Sequence, residues 1–170
     1  MNTNYLSPIG FTVSVSRLPN VEFFTQKAFI PGVTLEAPQI VNPMGNLFTA
    51  GDRLAYQDLD FSFLVDENMN NYMECYNWMK ALSSPEKFDD YKPLEDGVEG
   101  LDSDISILIL NSNKNANVKF TFLNCTPVSL SAVNLDVTAT EVFYPEVNMS
   151  FRYDRYVFEK VGWHHLKTVI

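Results

Sequence analysis

Residues 51–82, GDRLAYQDLDFSFLVDENMNNYMECYNWMKAL, change hydrophobic period half-way along, and that change decides the fold class. Leu59, Phe61, Phe63 and Val65 alternate with Asp58, Asp60 and Ser62. A period of two gives an extended strand one dry face and one wet face. From Asp66 onward the period lengthens. Met69, Tyr72, Met73, Tyr76 and Met79 recur every three or four residues, which predicts an amphipathic helix whose methionine and tyrosine stripe is core, with Trp78 beside it. Asp66 is expected to cap this helix and Glu67 to meet its N-terminal dipole. Ser83-Ser84-Pro85 should end it, because proline cannot continue the hydrogen-bond ladder.

Working outward, nearly everything else reads as strand. Phe11, Val13 and Val15 alternate with Thr12, Ser14 and Ser16, and the run breaks at Leu18-Pro19. Residues 21–30 read as a second extended segment, and Pro31-Gly32 as a type II turn in which Gly32 supplies the positive φ. A short strand at 33–35 follows. Residues 36–51 then combine four breakers (Pro38, Pro43, Gly45, Gly51) with large apolar groups (Ile40, Val41, Met44, Leu47, Phe48). A solvated loop has no use for so many apolar side chains, so they either fold back on the core or dock on a neighbouring molecule.

Beyond the helix, Ile105, Ile107 and Ile109 alternate with Ser106, Leu108 and Leu110, a pattern for a strand covered on both faces. Asn111 to Asn117 reads as a polar hairpin loop, and residues 118–125 as its antiparallel return. Thr126-Pro127 should break that run. Further strands are expected over 129–135 and 137–144, and a last long one from Val147 to near Phe158. The sum is a mainly β chain of one domain, 1–170: an antiparallel sandwich or half-barrel with one helix and a long protruding loop.

Composition narrows the function. The chain has 170 residues and a net charge of −9. Eight carboxylates lie between Glu86 and Asp104 against only Lys87 and Lys92, so nucleic acid would be repelled rather than held. No apolar run approaches the roughly 20 residues that span a bilayer, and MNTNYLSPIG carries no secretory pattern. Cys75 and Cys125 read as buried thiols. The chain lacks a nucleophile elbow and a glycine-rich phosphate loop. His164 and His165 are adjacent and point opposite ways on an extended tail, so they do not make a metal site. Asp58 and Asp60 have the spacing of an acid/base pair but no partner base. No catalytic residue, cofactor or metal is expected.

The order of these pieces carries a resemblance. Phe11 to Val15, Leu18-Pro19, Phe24-Thr25-Gln26-Lys27, Pro31-Gly32, Ala50-Gly51-Asp52-Arg53, the alternating strand, Asp66-Glu67, a helix bearing Trp78 and the strand from Val147 to Tyr156 together resemble the tail tube protein family of contractile-tailed bacteriophages. The match runs from Phe11 to about Tyr156, and the acidic segment after the helix is longer than the family suggests. The resemblance implies a structural virion protein, made in the cytoplasm of a bacterial host. Its hexameric rings would stack into a hollow inner tube, with bulk, baseplate or terminator roles all open. Partners implied are copies of itself, tail sheath, baseplate and tape-measure proteins, with DNA passing through unbound. The stretch Ile40, Val41, Asn42, Pro43, Met44, Gly45, Asn46, Leu47 and Phe48 would then be the loop that joins subunits and stacks rings. Thr12, Ser14, Ser16, Asp58, Asp60 and Ser62 are the candidates for facing the lumen. Two alternatives stay open: a tube component of a related contractile injection or secretion apparatus, and a monomeric β-barrel binding a small apolar ligand.

Overall fold

A computed structural model describes residues 5–43, 45–48, 50–83, 100–138, 140 and 143–161. Among these residues, eleven strands and two helices follow in the order β1 (Phe11–Val15), α1 (Pro19–Phe24), β2 (Thr25–Phe29), β3 (Val33–Glu36), β4 (Gln39–Asn42), β5 (Gly45–Phe48), β6 (Arg53–Tyr56), β7 (Leu59–Leu64), α2 (Asn70–Ser83), β8 (Ser103–Leu110), β9 (Ala116–Leu130), β10 (Glu146–Arg152) and β11 (Arg155–Lys160). The fold is mainly β and antiparallel, as the alternating pattern requires. One seven-stranded sheet runs β1-β8-β9-β10-β7-β2, with β11 also on β9, and it does not close into a barrel. The described sheet is thus not the closed barrel of the third reading.

The fifteen-residue β9 is the hinge of the sheet. Its first half lies between β8 and β11, and its second half pairs with β10. The bend sits at Asn124, whose φ of 57° is a left-handed value that asparagine tolerates better than most residues. The Asn124 amide donates to Asp154 Oδ2 at 2.7 Å, and its backbone N–H to Asp104 Oδ1 at 3.1 Å. Pro127 does not end the strand. It lies beside a register shift opposite Ser150 and Phe151, where a proline costs the ladder little. The last strand is kinked at Tyr153-Asp154 into β10 and β11, following β9 around the same corner.

The two arms of the bent sheet share one core. Val13, Val15, Ile105, Ile107 and Phe122 come from one side, and Leu59, Phe61, Phe63, Val147, Met149 and Phe151 from the other. Phe61 stacks on Phe151 with ring centroids 5.1 Å apart, and Trp78 lies 5.8 Å from Phe151. Each fully buried phenylalanine contributes roughly 1.5–3 kcal/mol of transfer free energy. Leu108 and Leu110 are only half-buried, so β8 is covered on one face, not two.

Two local readings change. Residues 19–24 form a helical turn and a half instead of a strand: Pro19 occupies the first helical position and Val21 is buried beneath it. Proline is pre-shaped for that site, where its missing N–H costs nothing. The helix α2 starts three residues later than a cap at Asp66 would set it, and it turns a different face inward. Met69 is left-handed, with φ 56°, so Asp66 and Glu67 lie in the preceding turn and do not cap. Asn71 fixes the rotation. Its amide donates to Leu64 O at 2.7 Å while its Oδ1 accepts from the Asp66 N–H at 3.2 Å, tying the helix to the end of β7. Asn71, Cys75, Trp78 and Ala81 are therefore the buried stripe, and Met69, Met73 and Tyr76 stay exposed at 37%, 47% and 55%.

The segment 131–145 carries no strand among its described residues. Only the Ser131 N–H, which donates to Asn148 O at 2.9 Å, continues the pairing with β10 among its described residues. Leu135, Val137, Phe143 and Tyr144 instead face solvent.

Candidate functional site

The protruding loop is an arm made of two stacked ribbons. Pro31 is buried, and Gly32 is not left-handed, so the expected type II turn does not form there. Gln57 clamps the root: its Oε1 accepts from the Gly32 N–H and its own N–H donates to Gly32 O, both at 3.2 Å. Tyr56 seats the root on the body through ring contacts with Tyr153 and Tyr156 at 5.8 and 5.7 Å. β3 then pairs β6 with Val33 opposite Tyr56 and Glu36 opposite Arg53. Further out, β4 pairs β5 with Gln39 opposite Phe48 and Asn42 opposite Gly45.

Two glycines make this path possible. A Cβ on Gly51 would overlap the Glu36 carbonyl, so no other residue fits where the two ribbons join. Gly45 has φ 139°, which lets the tip reverse direction. Neither ribbon is hydrogen-bonded to the main sheet. Of the residues expected to stack subunits, Ile40, Val41 and Asn42 lie on β4, and Gly45, Asn46, Leu47 and Phe48 on β5. Pro43 sits in the tip turn and Met44 lies outside the described residues. Pro43, Gly45 and Asn46 are exposed, as are Val33, Leu35 and Leu54 at 39%, 55% and 53%. The arm therefore presents apolar side chains to solvent from a paired backbone.

The candidates for a wet channel face fall into two groups. Thr12 and Ser14 lie on the outer face of β1, with Ser16 exposed in the turn after it. Asp58 and Asp60 lie at and in β7, with β8, β9 and β10 between them and β1. Ser62 is 7% exposed and shares a 3.4 Å hydrogen bond with Asn148, so it is covered rather than presented. Around it the face compensates its own charge. Arg152 Nε lies 3.5 Å from Asp58 Oδ1, Lys27 Nζ lies 2.8 Å from Glu146 Oε1, and Ser150 donates to Asp60. The Lys27 hydrogen bond holds the Glu146 carboxyl below its ordinary value.

Among the described residues no group of three or more His, Cys, Asp or Glu could hold a metal. His164, His165 and the acidic stretch from Glu86 to Glu99 lie outside the described residues. Burial pushes the Cys75 and Cys125 thiols up to about 12, which keeps them as neutral core groups. No helix among the described residues is long and apolar enough to cross a membrane.

One surface escaped the sequence reading. At the end of β7 away from the arm, Phe24, Leu64, Val65, Met69, Val133 and Tyr144 wall an open apolar cleft of about 600 Å³. Leu135, 79% exposed, also lines it, as does Tyr144 at 67%. The β-prone composition of 131–145 concealed them as strand.

The chain is similar in fold to proteins of contractile particles. The chain is similar to a protein of the anti-feeding prophage baseplate, with 16% identity, a TM-score of 0.63 and coverage of 94% of this chain and 97% of that one. It is similar to the tube-terminating cap of the same particle at 18% identity and a TM-score of 0.64, covering 94% and 95%. A sheath–tube complex of an extracellular contractile injection system matches at 14% identity and a TM-score of 0.58, covering 94% of each chain. At these identities the likeness establishes the fold. No curated protein matches the sequence. The phage tail tube protein family matches residues 3–159. The open antiparallel sheet, the single core and the outstretched arm thus belong to a member of the phage tail tube protein family.

Proposed function

We propose that this chain is a structural, non-enzymatic subunit of a bacteriophage inner tail tube, forming hexameric rings that stack into a hollow cylinder. It would serve as the repeating ring or as a baseplate or terminator end. The observation that carries this reading is the incompleteness of the single chain. The outer strands β1 and β2 each have an edge with no partner among the described residues, and the arm exposes apolar side chains. Open edges and a protruding arm at different places on one chain favour head-to-tail contacts, which close into rings when the rotation allows. Sheath would wrap the outside, and baseplate and tape-measure proteins would meet its ends and bore. Thr12, Ser14, Ser16, Asp58 and Asp60 remain the proposed channel face, passing DNA without holding it. Assembly would take place in the host cytoplasm.

One observation favours a second reading, a tube of a related contractile injection apparatus. The charges of the β7–β10 face are compensated by Arg152 and Lys27, and a balanced surface suits a protein cargo as well as DNA. Negative-stain microscopy of purified protein tests both. Hollow rings or rods are expected, and their cargo in intact particles separates the two; a uniform monomer overturns both.

A further inference from the structure

We propose that Tyr56, Tyr153 and Tyr156 form a lock between the arm and its own body, with a closed and an open position, and that the unpaired hydroxyl of Tyr153 keeps the closed position shallow. The inference concerns how one chain holds its own arm, so it is independent of the tube reading.

The first argument is attachment. Neither ribbon of the arm is hydrogen-bonded to the main sheet, and the Gln57–Gly32 bonds tie the two sides of the root to each other. Of the apolar side chains on β3 to β6, Tyr56 is the one that packs against the core among the described residues. It closes a triangle of rings, with its centroid 5.8 Å from that of Tyr153 and 5.7 Å from that of Tyr156, which are themselves 6.2 Å apart. One half-buried ring thus seats the arm.

The second argument is the chemistry of Tyr153. Its side chain is 8% exposed, and its hydroxyl is buried without a hydrogen-bond partner. Burial first, then Tyr156, Tyr56, Cys125 and Asp58 around it, push that hydroxyl's pKa above its ordinary value, so it remains a neutral O–H donor. A buried tyrosine ordinarily finds a partner for this group, and leaving the bond unmade destabilises the state that buries it. The ring is satisfied, edge-on to fully buried Phe122 at 5.0 Å. The hydroxyl is not.

The third argument is which neighbour can give way. Phe122 and Cys125 are fully buried in the core. Tyr156 sits on β11 in register with Phe122 on β9, so the main sheet fixes it. Of the three tyrosines, only Tyr56 stands on a ribbon outside that sheet. Withdrawal of its ring would let water reach the Tyr153 hydroxyl. The apolar burial lost by a half-buried tyrosine and the hydrogen bond gained are of the same order, which makes a root with two populated positions rather than a fixed one.

Pulsed electron spin resonance on the full chain tests the lock. Spin labels on Asn46→Cys in the arm and Lys119→Cys in the body occupy exposed sites, and the native thiols are buried and do not label. Dilution with excess unlabelled chain leaves only distances within one chain. Two distance populations are expected, one closed and one open. Tyr153→Phe, which removes the orphan hydroxyl and keeps the ring, should shrink the open one about fivefold or more and raise the thermal midpoint. Tyr56→Ala should make the open one dominant, and Tyr56→Phe should leave the ratio as it was. A single population with all three tyrosines in place, or a ratio that Tyr153→Phe leaves unchanged, overturns the lock. So does a lower midpoint in Tyr153→Phe, which would mean that the hydroxyl is paired through water.

Discussion

The sandwich core and the arm are built from the same kinds of residue and use them in opposite ways. Phe61, Phe63, Phe122 and Phe151 are fully buried, while Val33, Leu35 and Leu54 on the arm lie open. Both regions are antiparallel β. The difference is that the core's apolar faces meet each other within one chain, and the arm's do not. Stability should therefore reside in the body and assembly in the arm, and substitutions can separate the two.

The largest effect is expected in the core. Phe61→Ala should cost about 3–5 kcal/mol through lost burial and the cavity it leaves, read as a lower urea midpoint of the monomer. Next comes the anchor between β7 and α2. Asn71→Ala removes the bonds to Leu64 O and Asp66 N–H and leaves buried backbone groups unpaired, at about 1–3 kcal/mol. Leu35→Asp combined with Leu54→Asp should change monomer stability by no more than about 0.5 kcal/mol, as exposed positions do, yet abolish rods in micrographs. A large loss of stability in that arm variant would break the comparison. It would mean that the arm belongs to the body.

Titration sharpens the same contrast with smaller effects. The Cys75 and Cys125 thiols rise from an ordinary 9.0 to about 12 on folding. Groups raised in this way favour the folded state fully below pH 9, and that contribution is lost as pH climbs from 9 towards 12. Unfolding midpoints should fall over that window, and less steeply in a Cys75→Ala, Cys125→Ala variant. Glu146 moves the other way: held down by Lys27, it should favour the folded state above the ordinary carboxylate value. This small contribution is lost as pH falls through its lowered value, and Lys27→Met should erase it.

Much of the body was legible because period two has one meaning when both the dry and the wet residues are unambiguous. β1, β7 and the Asn111–Asn117 hairpin follow from Val13, Phe61 and a run of turn-forming asparagines. The rotation of α2 was not legible. Apolar spacing pointed to Met69, Met73 and Tyr76, but one buried amide, Asn71, together with a left-handed Met69, outweighed it. Short α1 was hidden because six residues are too few to show a period. β9 crosses Pro127 because the corner tolerates a missing donor, a tertiary fact that no local rule contains. The arm's apolar content was legible and its ribbon structure was not, since Pro38, Pro43 and Gly45 also serve loops. The second apolar end, Leu135 to Tyr144, read as strand because composition does not reveal whether a partner strand exists.

Sedimentation velocity of the purified chain across a concentration series tests the central claim most directly. If the single chain is incomplete, a species near six times the monomer mass should grow with concentration and give way to longer rods, and the Leu35→Asp, Leu54→Asp variant should stop short of rods. A single species of monomer mass at the highest concentration attainable would contradict it.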